Sequence, residues 1–169
     1  MDTIQIFVDG TFSSGKTAFI RALSEIDSVY TELAIPEDED TLACDFGRVT
    51  IDTDAVLYLF GAPASRRLDV TQSCFDNLLG VIFVVDSPRV YSLPEARAKL
   101  KQWLFTRDLP IVVIANKQDK PNAWHPDDLR IILRIPEDIP VLPCVASTGE
   151  GVAEAMIMLC EQYLRTLDA

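Results

Sequence analysis

A chain of 169 residues, about half of them apolar, holds enough material for one compact α/β domain with a single core, and its composition is not that of a disordered chain. A formal net charge of −11 disfavours nucleic acid as the main partner, because binding a phosphate backbone needs a basic surface. No apolar run reaches the ~20 residues that cross a bilayer, and four cysteines without a CxxC pair, beside one histidine, argue against zinc and for reduced thiols in a reducing cytoplasm.

In chain order, residues 4–8 alternate and are rich in β-formers, which predicts a first strand. An apolar strand so near the N-terminus leaves no room for a signal peptide. Residues 10–17 form a loop, and 16 to about 26 read as a helix. The stretch 27–40 is polar, contains Pro36 and ends in the acid run Glu37, Asp38, Glu39 and Asp40, so a mobile loop is expected. Residues 41–51 and 55–60 predict an antiparallel hairpin turning at Asp52, Thr53 and Asp54. Residues 61–71 are irregular, with a short helix expected near Cys74.

The continuous apolar runs 81–85 and 111–115 predict strands buried on both faces. Between them, Leu93, Ala96, Leu100, Trp103 and Leu104 recur at helical spacing, with Trp103 placed in the core. A short helix over 126–133 carries Asp127 and Asp128 in its first turn, where they suit the helix dipole; His125 stands exposed just before it. A last strand over 141–145 and a closing helix over 151–164 follow. The expected fold is a doubly wound, mostly parallel α/β sheet of six strands with one antiparallel pair, forming a single domain over residues 1–169.

The loop Gly10-Thr11-Phe12-Ser13-Ser14-Gly15-Lys16-Thr17 matches G-x-x-x-x-G-K-[ST] in full, with an apolar strand before it and a helix after it. Such a P-loop turns successive N–H groups inward as an anion nest and adds the positive end of a helix. Ser13, Ser14, Gly15, Lys16, Thr17 and Ala18 are therefore the expected phosphate-binding residues. Lys16 bridges the outer phosphates and the Thr17 hydroxyl ligates Mg²⁺. The motif implies a nucleoside triphosphate without naming the base.

Asn116-Lys117-Gln118-Asp119 follows the strand 111–115 directly, at the end where open α/β sheets bind ligands. The Asp119 carboxylate can accept from both the N1–H and the 2-amino group of guanine, a donor pair that adenine lacks. The stem of Lys117 can lie over the base, and Asn116 can tie the base loop to the phosphate loop. After the last strand, Ala146 and Ser147 lie in a turn whose main-chain N–H can donate to the guanine carbonyl. GTP or GDP with Mg²⁺ is thus the expected ligand. The same N-K-x-D run argues against a P-loop kinase of small molecules.

These elements, in this order, resemble the Ras-like small GTPase superfamily over essentially the whole chain. Residues 145–152 look like its S-A-K-T-G-x-x-V segment, with Val145 for the serine and Ser147 for the lysine. Residues 41–47 look like switch I, T-x-x-x-D-F, which implies that Thr41 reaches Mg²⁺ and the γ-phosphate. Residues 57–65 resemble the L-x-L-F-G-T-P-G-Q stretch of a prokaryotic branch, the polarity and conservon-type GTPases. That branch implies roadblock/longin-type regulators among its protein partners.

Four residues depart from the hydrolytic pattern of the superfamily. Gly61 replaces the magnesium-water aspartate, Ala64 the switch II glycine, and Ser65 the water-orienting glutamine. Phe12 replaces a small P-loop residue and would crowd an arginine finger. Arg48, Arg66 and Arg67 are the candidates for an internal finger; Arg66 and Arg67 read as solvated loop charge. No catalytic residue is assigned. The expectation is a cytoplasmic, monomeric regulatory switch with slow or absent hydrolysis, and the alternative is a pseudo-GTPase scaffold. The C-terminus carries neither a prenylation box nor a basic tail, and Asp2 excludes myristoylation, so no intrinsic membrane anchor is expected.

Overall fold

The structure, a computed structural model, describes residues 2–27, 29–34, 41–61, 78–106 and 108–169. Strand β1 (Asp2–Gly10) leads through the P-loop into helix α1 (Lys16–Leu23). Strands β2 (Val29–Ala34), β3 (Thr41–Asp52) and β4 (Ala55–Gly61) follow. Strand β5 (Leu78–Asp86), a 3-10 turn over Val90–Ser92, helix α2 (Leu93–Thr106) and strand β6 (Ile111–Asn116) come next. Helix α3 (Pro126–Leu133), strand β7 (Val141–Pro143) and helix α4 (Val152–Leu167) complete the order.

Among the described residues the sheet has seven strands in the order β2-β3-β4-β1-β5-β6-β7. Strand β1 pairs in parallel with β4 and β5, and β5–β6 and β6–β7 are parallel too. The β2–β3 and β3–β4 pairs are antiparallel. The period-two rule explains why the central strands read as unbroken apolar runs. Phe7, Val81, Phe83, Val85, Val113 and Ala115 face one layer, where Leu93, Ala96, Leu100 and Trp103 of α2 and Leu129 and Leu133 of α3 cover them. Ile6, Val8, Ile82, Val84, Val112 and Ile114 face the other, under Phe19 and Ile20 of α1 and Val152, Ala155, Met156 and Leu159 of α4. Each large side chain buried in this way contributes ~1.5–3 kcal/mol, which fixes the strands' register against slippage.

The doubly wound, mostly parallel plan is the expected one, and its six anticipated strands are present. The difference is β2: residues 29–34 were expected to be loop, yet they pair residue for residue with β3, from Val29 opposite Phe46 to Ala34 opposite Thr41. Val29, Tyr30 and Thr31 are good strand formers, and an available edge on β3 outweighs the polar character of the stretch around them. Helix α1 ends at Leu23 rather than near residue 26. Ser24 turns to an extended conformation there, and its Oγ accepts the Arg48 N–H at 3.1 Å. Strand β7 stops at Pro143, and Val145 forms an isolated bridge to Glu150 instead. Helix α4 runs on to Leu167. The acid run 37–40 and the helix expected near Cys74 lie outside the described residues.

Candidate functional site

The loops leaving the carboxyl ends of β1, β5, β6 and β7 meet on one edge of the sheet, where an open α/β fold places its ligands. After β1 the backbone turns sharply: Gly10 has φ +154° and Gly15 φ +112°. A Cβ on Gly15 would collide with the Asn116 side chain, so the close approach of these two loops requires a glycine there. Phe19 N donates to Gly15 O at 2.9 Å, which leaves the N–H groups of Lys16, Thr17 and Ala18 without a main-chain partner among the described residues. Together with the helix dipole they make an anion site. The Lys16 ammonium lies along the loop and donates to Thr11 O at 2.8 Å and Gly10 O at 3.2 Å. Burial pushes its pKa below the ordinary value, while Asp9 and, more weakly, Asp45 pull the other way. A lysine desolvated beside a set of open N–H donors recovers its lost solvation from an anion. A cleft of about 740 Å³ opens over Ser13–Ala18 and is closed on its far side by Ala146, Ser147, Thr148 and Gly149.

The base loop is tied to the phosphate loop by one buried side chain. Asn116 Nδ2 donates to Ser14 O at 2.8 Å, and its Oδ1 accepts the Ala146 N–H at 2.9 Å. One amide thereby holds three segments together. The Ala146 N–H is committed to Asn116, while the N–H of exposed Ser147 has no main-chain partner among the described residues. Lys117 takes φ +62° and lays its stem back over the site; its Nζ donates to Ser13 O and to Asp86 Oδ2, both at 2.8 Å. Asp119 stands half-exposed, its carboxylate 3.7 Å from the Lys120 ammonium.

The Thr17 hydroxyl donates to Asp45 Oδ2. Thr41 is the first residue of β3, paired with Ala34. It lies four residues from Asp45, or about 13 Å along an extended strand. Of the described side chains of β3, Asp45 is the one that meets Thr17. Phe12 is 74% exposed in the P-loop turn. Gly61 ends β4, paired with both Val8 and Asp45. Ala64, Ser65, Arg66 and Arg67 lie outside the described residues. Arg48 is half-buried on β3 opposite Tyr58, toward the hairpin turn from Asp45.

Sequence reasoning missed three carboxylates. Asp9 is buried: its Oδ1 accepts the Gly10 N–H and its Oδ2 the Trp103 Nε1–H at 2.7 Å, which pins the start of the P-loop to α2. Asp86 is 1% exposed and anchors Lys117. Its signal was legible as an acid ending an apolar strand. Asp45 had no signal beyond its place in the switch-like segment. Trp103 is in the core as expected, with this polar tip besides, and His125 is exposed and caps α3, its Nδ1 accepting the Asp127 N–H.

A nucleotide with a divalent cation fits this donor set: open N–H groups, a half-buried ammonium and a hydroxyl beside a carboxylate. Comparison with known proteins agrees. A model of the ADP-ribosylation factor family matches residues 3–163. ADP-ribosylation factor-like protein 3 of Saccharomyces cerevisiae is 28% identical over 161 residues, covering 89% of this chain and 81% of that protein. ADP-ribosylation factor-like protein 14 of Mus musculus is 26% identical over 174 residues, covering 95% and 87%. Among solved structures, the Arl6 (BBS3) small GTPase of Trypanosoma brucei with bound GppNp shares the fold, with a TM-score of 0.76 at 22% identity over 97% of this chain and 99% of that one. The prokaryotic polarity or conservon branch expected from residues 57–65 gains no support, since these relatives are eukaryotic and the family is a different one.

Proposed function

Because the chain belongs to the ADP-ribosylation factor family of small GTPases, and is in that coarse sense a regulatory GTP-binding switch, we propose how its own residues carry the role. Lys16, Thr17 and the N–H groups from Ser13 to Ala18 hold the phosphates. Asn116, Lys117 and Asp119, with the turn at Ala146 and Ser147, hold guanine. Thr17 ligates the Mg²⁺ that family members bind with GTP or GDP. The bound cation neutralises phosphate charge. The observation that carries this reading is the Asn116 bridge, which presents the anion nest and the purine-reading carboxylate on one edge at once. Calorimetric titration of nucleotide-stripped protein with GTP, GDP and ATP, each with Mg²⁺, is expected to give tight binding of the guanosine nucleotides only. Equal uptake of ATP would end the assignment.

Hydrolysis in this reading is slow. Gly61 has no side chain to hold a metal-bound water, and exposed Phe12 guards the approach to the γ-phosphate. Parts of this kind supply factors of ~10³–10⁵ in rate. Single-turnover cleavage of GTP by excess protein should therefore be barely measurable without a partner, and fast unassisted cleavage would contradict it. For Thr41 to sense a γ-phosphate, the β2–β3 hairpin has to shift along β4, since Thr41 starts about 13 Å from Asp45. The same departures favour a second reading, a nucleotide-holding scaffold that does not cycle. Equal partner affinity in the GDP and GTP forms would select it. The partners are protein regulators and effectors meeting a cytoplasmic monomer. A roadblock/longin-type regulator was implied by the prokaryotic likeness alone and no further observation supports it.

A further inference from the structure

The metal corner of this site lacks the carboxylate expected at its usual place, and the structure puts another beside it. Gly61 closes β4, one residue across from Val8 and so at the threshold of the P-loop. A Cβ at 61 would lie 2.7 Å from Ile20 Cδ1, the tip of a side chain that could turn aside. The same Cβ would lie 3.6 Å from the Cβ of Asp45, the residue directly opposite on β3. Asp45 thus projects its carboxylate from the neighbouring strand into the space an aspartate at 61 would approach.

That carboxylate is already engaged with the metal-ligating hydroxyl. Thr17 Oγ1 donates its proton to Asp45 Oδ2, which leaves the hydroxyl lone pairs for a cation. Asp45 Oδ1 takes no hydrogen bond among the described residues. The other nearby acid, Asp9, is not available in this way, because both its oxygens are occupied, by the Gly10 N–H and the Trp103 indole.

We propose that Asp45 is the magnesium-site carboxylate of this protein, a positioning residue that orients the Thr17 hydroxyl and supplies from β3 the negative charge that Gly61 cannot. Mg²⁺ is commonly held by one or two carboxylates together with substrate phosphates and water, so a single aspartate at this corner completes the expected protein share. The proposal rests on the nucleotide-site reading above, and its sign is distinctive. A carboxylate at this corner repels a bare nucleotide and attracts the metal–nucleotide pair.

The test uses the full chain stripped of nucleotide, wild type against Asp45→Asn and Asp45→Ala, with folding checked by thermal melting. GDP affinity is measured in excess Mg²⁺ and in EDTA, and Mn²⁺ affinity of the GDP complex is followed by electron paramagnetic resonance. Both substitutions are expected to weaken Mn²⁺ binding about 10- to 100-fold, the usual cost of losing such a partner. GDP affinity in EDTA should stay level or rise. Unchanged Mn²⁺ affinity, or equal losses of GDP affinity with and without metal, would overturn the proposal. Wild-type protein that bound no GDP in either buffer would instead overturn the reading of the whole site.

Discussion

Asp119 is half-exposed, and its carboxylate is free to accept charge-assisted hydrogen bonds from the N–H groups of a guanine ring laid against it. Asp119→Ala should therefore cost about 1.5–3 kcal/mol in all, roughly 10- to 150-fold in GDP affinity. Affinity for ADP, which never uses those bonds, should stay where it was. Titration of both nucleotides checks this, and a parallel fall in the two would point to a folding defect rather than a base reader. Cys144 makes a separate case. Burial pushes its thiol up to about 12 from an ordinary 9.0, helped by Glu154 and Glu150. The folded protein then keeps a proton that the unfolded chain releases above about pH 9. This stabilisation is complete below pH 9 and falls away as pH climbs toward 12. Urea midpoints measured from pH 8 to 10.5 should decline more in wild type than in Cys144→Ala. A thiol reagent at pH 8 should modify Cys144 only on unfolding, and rapid labelling of the native protein would contradict the burial.

At the scale of elements, one contact joins the P-loop to the helical layer opposite α1. Trp103 on α2 packs its ring 5.5 Å from Phe7 and donates to Asp9, 94 residues away in sequence. Trp103→Phe keeps most of the apolar contact but leaves Asp9 Oδ2 without its donor. The expected loss is about 1–3 kcal/mol of stability, read as a lower urea midpoint with an unchanged slope. An unchanged midpoint would mean that Asp9 finds water at no cost. Strand β2 teaches a different lesson about elements. Its residues look like loop until β3 offers an edge, and β3 offers one because the β3–β4 hairpin is anchored by Phe46, Tyr58 and Phe60, whose rings touch at 5.2–6.5 Å.

Across the whole molecule, the two hydrophobic layers hold the sheet, and the functional edge depends on how loops from distant segments meet there. A ligand that binds only this assembled edge stabilises the entire fold. At about 100 times its dissociation constant, GDP with Mg²⁺ should add ~2.7 kcal/mol, a rise of roughly 5–10 °C in melting temperature for a chain of this size. ATP at the same concentration should add none. Equal shifts for both nucleotides would show that the edge does not read the base. No helix among the described residues is long and apolar enough to cross a membrane.

The sequence by itself determined the P-loop, the N-K-x-D run and the six expected strands, because each is written locally. Glycines mark where the backbone must turn left-handed, and unbroken apolar runs mark strands buried on both faces. A carboxylate after such a strand marks a place at the binding edge. The tertiary structure alone decided which distant groups meet those motifs. Asp45 reaches Thr17, Asp9 holds Trp103, and Asp86 holds Lys117 across gaps of 28, 94 and 31 residues. Strand register sets those meetings, and register is a property of pairing and packing that no single segment encodes. The same reasoning applies to β3: its pairing with β4 sets Asp45 opposite Gly61, and no motif in the segment announces that meeting.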